Sequence, residues 1–449
     1  MRARSRRGKW LAALGAAAVL GGGLSATGVT ANAQEAPRAK ASDATGAADA
    51  TGAATAAQSC EASDDQIYTP PQNVPGTPGE VISCRQVTLP HVPGNIDMTA
   101  WKVQYASKDN AGRPVAVSGT VAVPKAAWKG PGTRPVVAFN PGTLGLGQQC
   151  AFSKQLAGEF QDMYEGDNIA ASLKAGYAVA ATDGAGYLKG RTHPYVAGTD
   201  AGHALLDIAR AAPNVPGSGL DKKTKVGLWG YSEGGSASLW AAQLAKAYAP
   251  ELNIVGDASG GVPGDLKVVA KALNGQAFAG FLADAVIGLA AAYPAMPFDG
   301  LLNQQGRDAV EKAKSVCLVG TLTGFPFQKL ENFTTEGYTL DEIYALKGTD
   351  GKTWGEVVDA QKLGVGVGPA GSGAKHEIGF PVLQYRGLAD EVIPTETEDA
   401  TRAAYCQAKI PTTWKLYPGE HLLADNQAVN DVVAWLGDRF AGKTAPDDC

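Results

Sequence analysis

The chain predicts an α/β fold, a mostly parallel central sheet with helices on both faces and a large helical insertion. Three observations carry this expectation. Short apolar runs alternate with helix-like segments between residues 135 and 258 and resume after 381, the pattern of buried parallel strands joined by crossover helices. Between the two blocks lie about 115 residues with helical signals and no clear strand. The apolar run Val226-Gly227-Leu228-Trp229 enters Gly230-Tyr231-Ser232-Glu233-Gly234-Gly235 and then a helix-like segment, Ser236 to Tyr248. A serine flanked by glycines between a strand and a helix is the geometry of a nucleophile elbow, in which any Cβ would clash at the close approach of the two elements.

The elements follow in order. Arg2, Arg4, Arg6, Arg7 and Lys9 form a basic start, Trp10 to Leu24 an apolar stretch, and Ala31-Asn32-Ala33 a small-x-small cleavage site, so residues 1–33 read as a signal peptide rather than a membrane anchor. Ser5-Arg6-Arg7 matches a twin-arginine signal in part, and the export route stays open between that and the general secretory path. Residues 34–58 contain no aromatic residue and no Val, Ile or Leu, the composition of a flexible leader. The folded part then spans 59–449. Met98–Tyr105 and Pro114–Val123 read as a hairpin across Asp109-Asn110-Ala111-Gly112. Pro135–Asn140 is a buried strand entering Pro141-Gly142-Thr143. Asn168–Ala175 is a helix with Gly176 at its C-cap, Tyr177–Thr182 a strand, Ala201–Ala212 a helix stopped by Pro213, Lys225–Tyr231 the strand into the elbow, and Asn253–Ala258 a further strand. Residues 264 to about 378 form the helical insertion, a lid over the site. Thr339/Glu342 and Thr353/Glu356 are capping-box pairs, and the second helix is expected to end at Leu363-Gly364. Pro381–Gly387 and Thr412–Tyr417 resume the sheet, and Ala424–Phe440 closes the chain as a helix.

A serine hydroxyl attacks only when a base takes its proton, and on this fold the chain order is Ser, acid, His. Of the five histidines, His421 follows a strand, in Tyr417-Pro418-Gly419-Glu420-His421, on a loop before the last helix. The acid belongs on the loop after the preceding strand, Arg386-Gly387-Leu388-Ala389-Asp390-Glu391-Val392-Ile393-Pro394. Asp390 is the candidate, Glu391 its immediate rival, and Asp399 falls on the next helix. Two N–H donors must hold the oxyanion: the amide of Glu233, just after the nucleophile, and one from the loop after Asn140, Thr143 with Gly142 as rival. The Glu233 carboxylate is expected only to complement the helix N-terminus.

The formal charge is −5. Removing the first 33 residues deletes five positive and no negative groups, leaving −10, which argues against nucleic acid and anionic membranes as partners. Six cysteines, Cys60, Cys84, Cys150, Cys317, Cys406 and Cys449, suggest three disulfides in an exported protein, with no spacing suited to zinc. There is no P-loop, no H-E-x-x-H and no dinucleotide fingerprint, so neither cofactor nor metal is expected.

The chain resembles the secretory lipases of the fungal-bacterial lipase A type, members of the α/β-hydrolase superfamily with a large helical lid. The resemblance rests on Gly230–Gly235, Gly142-Thr143-x-Gly145 with Cys150 downstream, Thr182-Asp183, His193-Pro194-Tyr195, Ala204–Ala211 and Asp390-Glu391-Val392-Ile393-Pro394, and it runs from about Tyr68 to the C-terminus. It implies a triad of Ser232, Asp390 and His421 and bridges Cys150–Cys317 and Cys406–Cys449, leaving Cys60–Cys84. It implies a secreted carboxylic-ester hydrolase working through an acyl-serine, with an ester or lipid as the expected partner and a monomer as the expected form. With Cys150–Cys317 holding the lid over the site, Phe278, Phe281, Leu282, Val286, Ile287 and Leu289 supply an apolar wall, which either holds an acyl chain or belongs to a lid helix packed on the core. An acyltransferase or peptidase on the same fold, or a catalytically silent binding protein, is the alternative.

Overall fold

The computed structural model describes residues 59–449. The expected signal peptide and leader, 1–33 and 34–58, lie outside them. The core is a nine-stranded sheet built from β1 (Val81–Val87), β2 (Met98–Lys108), β3 (Pro114–Pro124), β4 (Val136–Asn140), β5 (Ala178–Thr182), β6 (Lys225–Tyr231), β7 (Asn253–Gly260), β10 (Val382–Gly387) and β11 (Thr412–Tyr417), with β8 (Val367–Pro369) and β9 (His376–Ile378) paired separately. The spatial order is β1-β2-β3-β5-β4-β6-β7-β10-β11. The first three strands form an antiparallel meander, β3 pairs antiparallel with β5, and the rest is parallel.

The parallel strands are all-buried runs such as Val136–Asn140 and Ala178–Thr182, as a sheet covered on both faces requires. Ile169 and Leu173 of the helix Gly166–Lys174, with Val429, Val432 and Leu436 of the closing helix, pack on one face. Leu205 and Ile208 of Gly198–Ala211, with Leu239 and Ala242 of Glu233–Tyr248, pack on the other.

The structure corrects the reading at several points. β1 was not expected; it adds an edge strand tied by Cys60–Cys84 and carrying a register shift between Val81 and Ser83. The region between β7 and β10 is mainly helical, with Leu266–Leu273, Ala279–Ala292, Gln304–Ala313, Leu318–Gly324, Leu340–Ala345 and Trp354–Asp359, but it also holds β8 and β9. Both capping boxes form. The second of these helices ends at Asp359, because Ala360 already closes it onto the Glu356 carbonyl, and Gly364 (φ +78°) belongs to a later turn. The closing helix starts at His421 rather than Ala424, because the Glu420 side chain accepts from the Leu422 and Leu423 N–H groups. His421 is therefore in the first helical turn and not on a loop.

Three disulfides join Cys60–Cys84, Cys150–Cys317 and Cys406–Cys449. The last one anchors a tail along the outer margin of β11. There Asp448 N donates to the Thr412 carbonyl (2.9 Å), and the carboxylates of Asp447 and Asp448 accept from Thr412 N (3.2 Å) and Trp414 N (2.8 Å). Among the described residues no helix is long and apolar enough to cross a membrane.

Candidate active site

The site assembles at the carboxyl ends of β4, β6, β7 and β10. Ser232 follows β6 directly and precedes the helix Glu233–Tyr248, with φ +57° and ψ −121°. A non-glycine residue at positive φ is strained, and the turn is enforced by its neighbours. A Cβ on Gly234 would sit 2.1 Å from the Asn140 carbonyl oxygen, and one on Gly235 2.2 Å from that of Gly260. The helix start is thus wedged against the ends of β4 and β7, and the serine hydroxyl is pushed out of the sheet.

Ser232 Oγ lies 3.0 Å from His421 Nε2, and His421 Nδ1 lies 2.6 Å from Asp390 Oδ2. The three side chains, 189 and 31 residues apart in pairs, meet although Ser232 is 8% exposed and His421 only 3%. The other Asp390 oxygen accepts from Val392 N (3.0 Å) and Ile393 N (2.8 Å), which fixes the carboxylate in the loop after β10. Glu391, the rival acid, turns instead to the His421 backbone N–H (3.1 Å). Tyr231 Oη donates to the His421 carbonyl (2.6 Å), pinning the helix start from below. This arrangement orients one imidazole nitrogen on a carboxylate and the other on a hydroxyl, as proton transfer from serine requires. Asp399 lies on the helix Thr395–Gln407 and pairs with Arg386 (3.0 Å), away from the imidazole.

The loop after β4 borders the elbow. Gly142 N, the rival oxyanion donor, is engaged: it donates to Glu165 Oε2 (2.8 Å). The Thr143 and Glu233 N–H groups donate to no acceptor among the described residues. The Thr143 hydroxyl meets Tyr195 Oη at 2.7 Å, so the loop is tied on that flank too. The Glu233 side chain is buried and faces His193 Nε2 at 2.6 Å, while His193 Nδ1–H donates to the Ala185 carbonyl (2.6 Å). Burial disfavours a charged His193, but the Glu233 carboxylate and the Ala185 carbonyl outweigh it and raise its pKa. Asp284, on the helix Ala279–Ala292, is buried near this pair; burial, with the charge of Glu233, pushes its pKa up to about 8 against a hydrogen bond from Thr321.

Above Ser232 opens an apolar cavity. Its walls come from the helical segment, including Leu266, Val269, Phe281, Leu282 and Leu289, and from Val392 and Ile393 beside the Asp390 loop. Of the six expected wall residues, Phe281, Leu282, Val286 and Leu289 line it. Ile287 points into the adjoining cluster around Tyr195 and Met296, and Phe278 packs at the edge of the Val269–Leu282 cluster. Glu165, Tyr195 and Asp284 were not singled out as site residues in the sequence. Only Tyr195 carried a signal there, as part of the His193-Pro194-Tyr195 stretch.

The chain is similar to known lipases in sequence and in fold. The profile of the secretory lipase family matches residues 153–448. Lipase 10 of Candida albicans is 28% identical over 409 residues, covering 86% of this chain and 83% of its own. A Mycobacterium tuberculosis protein described as a probable inactive lipase is 31% identical over 399 residues, with 86% and 84% covered. The crystal structure of Candida antarctica lipase A in its closed state superimposes with a TM-score of 0.73 at 25% identity, covering 86% of this chain and 88% of that one.

Proposed function

From the premise that this chain belongs to the secretory lipase family, we propose that it cleaves acyl esters through an acyl-serine on Ser232. It is a secreted carboxylic-ester hydrolase of the α/β-hydrolase fold. The observation that carries the mechanism is the unbroken contact Ser232 Oγ–His421 Nε2 and His421 Nδ1–Asp390 Oδ2, at 3.0 and 2.6 Å.

In this reading His421 removes the Ser232 proton as the oxygen attacks the ester carbonyl. Asp390 holds the imidazole in the productive tautomer and stabilises the imidazolium. The oxyanion is held by the Glu233 and Thr143 N–H groups. Glu233 supplies the first N–H after the nucleophile, at a helix N-terminus, and Gly142 is set aside because its N–H is already bonded. The imidazolium then protonates the leaving alkoxide, and water, deprotonated by the same imidazole, releases the acid. The acyl chain lies in the apolar cavity, whose lining is dominated by aliphatic and aromatic side chains. Residues 264–378 act as the lid, since their helices form most of that lining. The triad, the oxyanion loop and the cavity all come from one chain, which supports a monomer as the working form. Residues 1–33 serve as its export signal.

The probable inactive relative makes a silent binding protein the second reading. A fluorophosphonate probe decides between them: it labels wild type and spares Ser232→Ala if the catalytic reading holds, and spares both if the chain is silent. A p-nitrophenyl ester series from acetate to palmitate then reads the cavity, with turnover of the longer esters dependent on Ser232.

A further inference from the structure

We propose that Glu165 is a positioning residue of the reaction: it holds the Gly142 N–H so that the following N–H, that of Thr143, is presented to the oxyanion. This rests on Ser232 acting as the nucleophile.

Glu165 is fully buried. One of its oxygens accepts from Gly142 N at 2.8 Å, and the other, Oε1, has no partner among the described residues. A buried carboxyl with a single bond is costly to the fold, and such groups persist where the position they hold is used. Here that position is the oxyanion loop. The loop has no room to choose another path on this side, because a Cβ on Gly142 would fall 2.0 Å from Tyr164 Oη and 3.2 Å from the Tyr231 carbonyl oxygen. Tyr164-Glu165 thus clamps one flank, and the Thr143 hydroxyl on Tyr195 Oη (2.7 Å) holds the other. With both flanks fixed and Gly142 N consumed, the N–H between them is the one left over.

The clamp also reaches the base. Glu165 immediately precedes the helix Gly166–Lys174, and Asn168 on that helix donates to both oxygens of Asp425 (3.2 Å each). Asp425 lies one turn after His421 on the closing helix and is itself buried. A single helix start therefore ties the oxyanion loop to the helix that carries the imidazole. Burial, reinforced by the charge of Asp425 and opposed by the Gly142 N–H, keeps the Glu165 carboxyl well above its ordinary pKa. In either protonation state an oxygen remains to accept from Gly142 N.

The experiment compares Glu165→Gln, Glu165→Asp and Glu165→Leu with wild type and Ser232→Ala, on one p-nitrophenyl ester and one alkylboronic acid, which adds to a reactive serine as a tetrahedral oxyanion mimic. Gln keeps an oxygen for Gly142 and leaves kcat within about threefold of wild type. Leu removes it and lowers kcat about 10²-fold, the scale of one misplaced oxyanion donor, with KM within about twofold and boronate affinity weakened in parallel. Asp shortens the reach and falls between, about tenfold down in kcat, so the answer survives if Leu does not fold. A fully active Asp or Leu variant, a Gln variant as impaired as Leu, or KM rising in step with the fall in kcat overturns the inference. In all three cases wild-type turnover that still depends on Ser232 leaves the hydrolase reading standing; wild type without Ser232-dependent turnover sinks both.

Discussion

The Cys150–Cys317 bridge offers a measurable test of how the helical segment is held to the core. It spans 167 residues, against 43 for Cys406–Cys449 and 24 for Cys60–Cys84. On the chain-entropy account each crosslink stabilises by restricting the unfolded chain, with an entropy of about 2.1 + 1.5R ln n in cal/mol/K. That gives about 5 kcal/mol for the longest loop, about 4 for the middle one and about 3.5 for the shortest. An unfolding entropy of about 2.1 cal/mol/K per residue over roughly 390 residues is about 0.8 kcal/mol/K, so replacing both cysteines by serine lowers Tm by about 6, 5 and 4 °C respectively. The assay is scanning calorimetry of the three double-serine variants. Activity separates them further. Cys317 stands against Gly145, where a Cβ would lie 2.6 Å from its Cα, and Gly147 N donates to the Val316 carbonyl (3.0 Å), so only the Cys150/Cys317 variant loosens the stretch that follows the oxyanion loop. It loses kcat at a temperature where the other two keep theirs. A Cys150/Cys317 variant no less stable than the Cys60/Cys84 one would refute the entropy argument, and full activity in it would refute the coupling to the loop.

Two other outcomes are expected. Asp390→Asn lowers kcat by about 10³–10⁴-fold, because the amide favours the wrong imidazole tautomer. Glu391→Gln, which touches only the His421 backbone N–H, stays within about threefold, and steady-state kinetics showing the reverse order would make Glu391 the acid. The stability of the protein falls as pH rises from about 4 to about 8, because burial raises Asp257 to about 7 and Asp284 to about 8. A carboxyl whose folded pKa is raised contributes fully below about pH 4 and loses that contribution as pH climbs through the folded value, by at most about 1.4 kcal/mol per pH unit per group. Thermal melts at pH 5 and pH 8 check this, and Asp257→Asn narrows the gap between them; an unchanged gap would contradict the assignment.

What the sequence made legible was whatever is encoded locally. Ser232 and its helix could be read because the glycines around it answer to backbone contacts that no other residue permits. The capping boxes at Thr339 and Thr353 could be read because all their atoms lie within four residues. Asp390 could be preferred over Glu391 but not established against it, since the two share one loop and differ only in which way they turn. β1 escaped notice because its alternation is broken by the shift near Ser83 and its exposed positions include Arg85 and Gln86. β8 and β9 are three residues each, too short for a period to show. The helix start at His421 was missed because its cap is a glutamate, which is not among the favoured N-cap residues. Glu165 lay beyond reach for a different reason: its partner is Gly142, 23 residues away, and neither residue carries a mark of the other.

The margin of the sheet at β11 is finished by residues made some thirty positions later than the strand itself. Until they arrive, Thr412 and Trp414 present open main-chain donors on a strand that nothing covers, the situation that invites pairing between copies. Asp447 and Asp448 occupy those donors, and Cys449 fastens the cover by a bond that persists only in an oxidising space. A reduced chain keeps the hydrogen bonds of Asp447 and Asp448 to this strand and loses only the covalent fastener that holds them there.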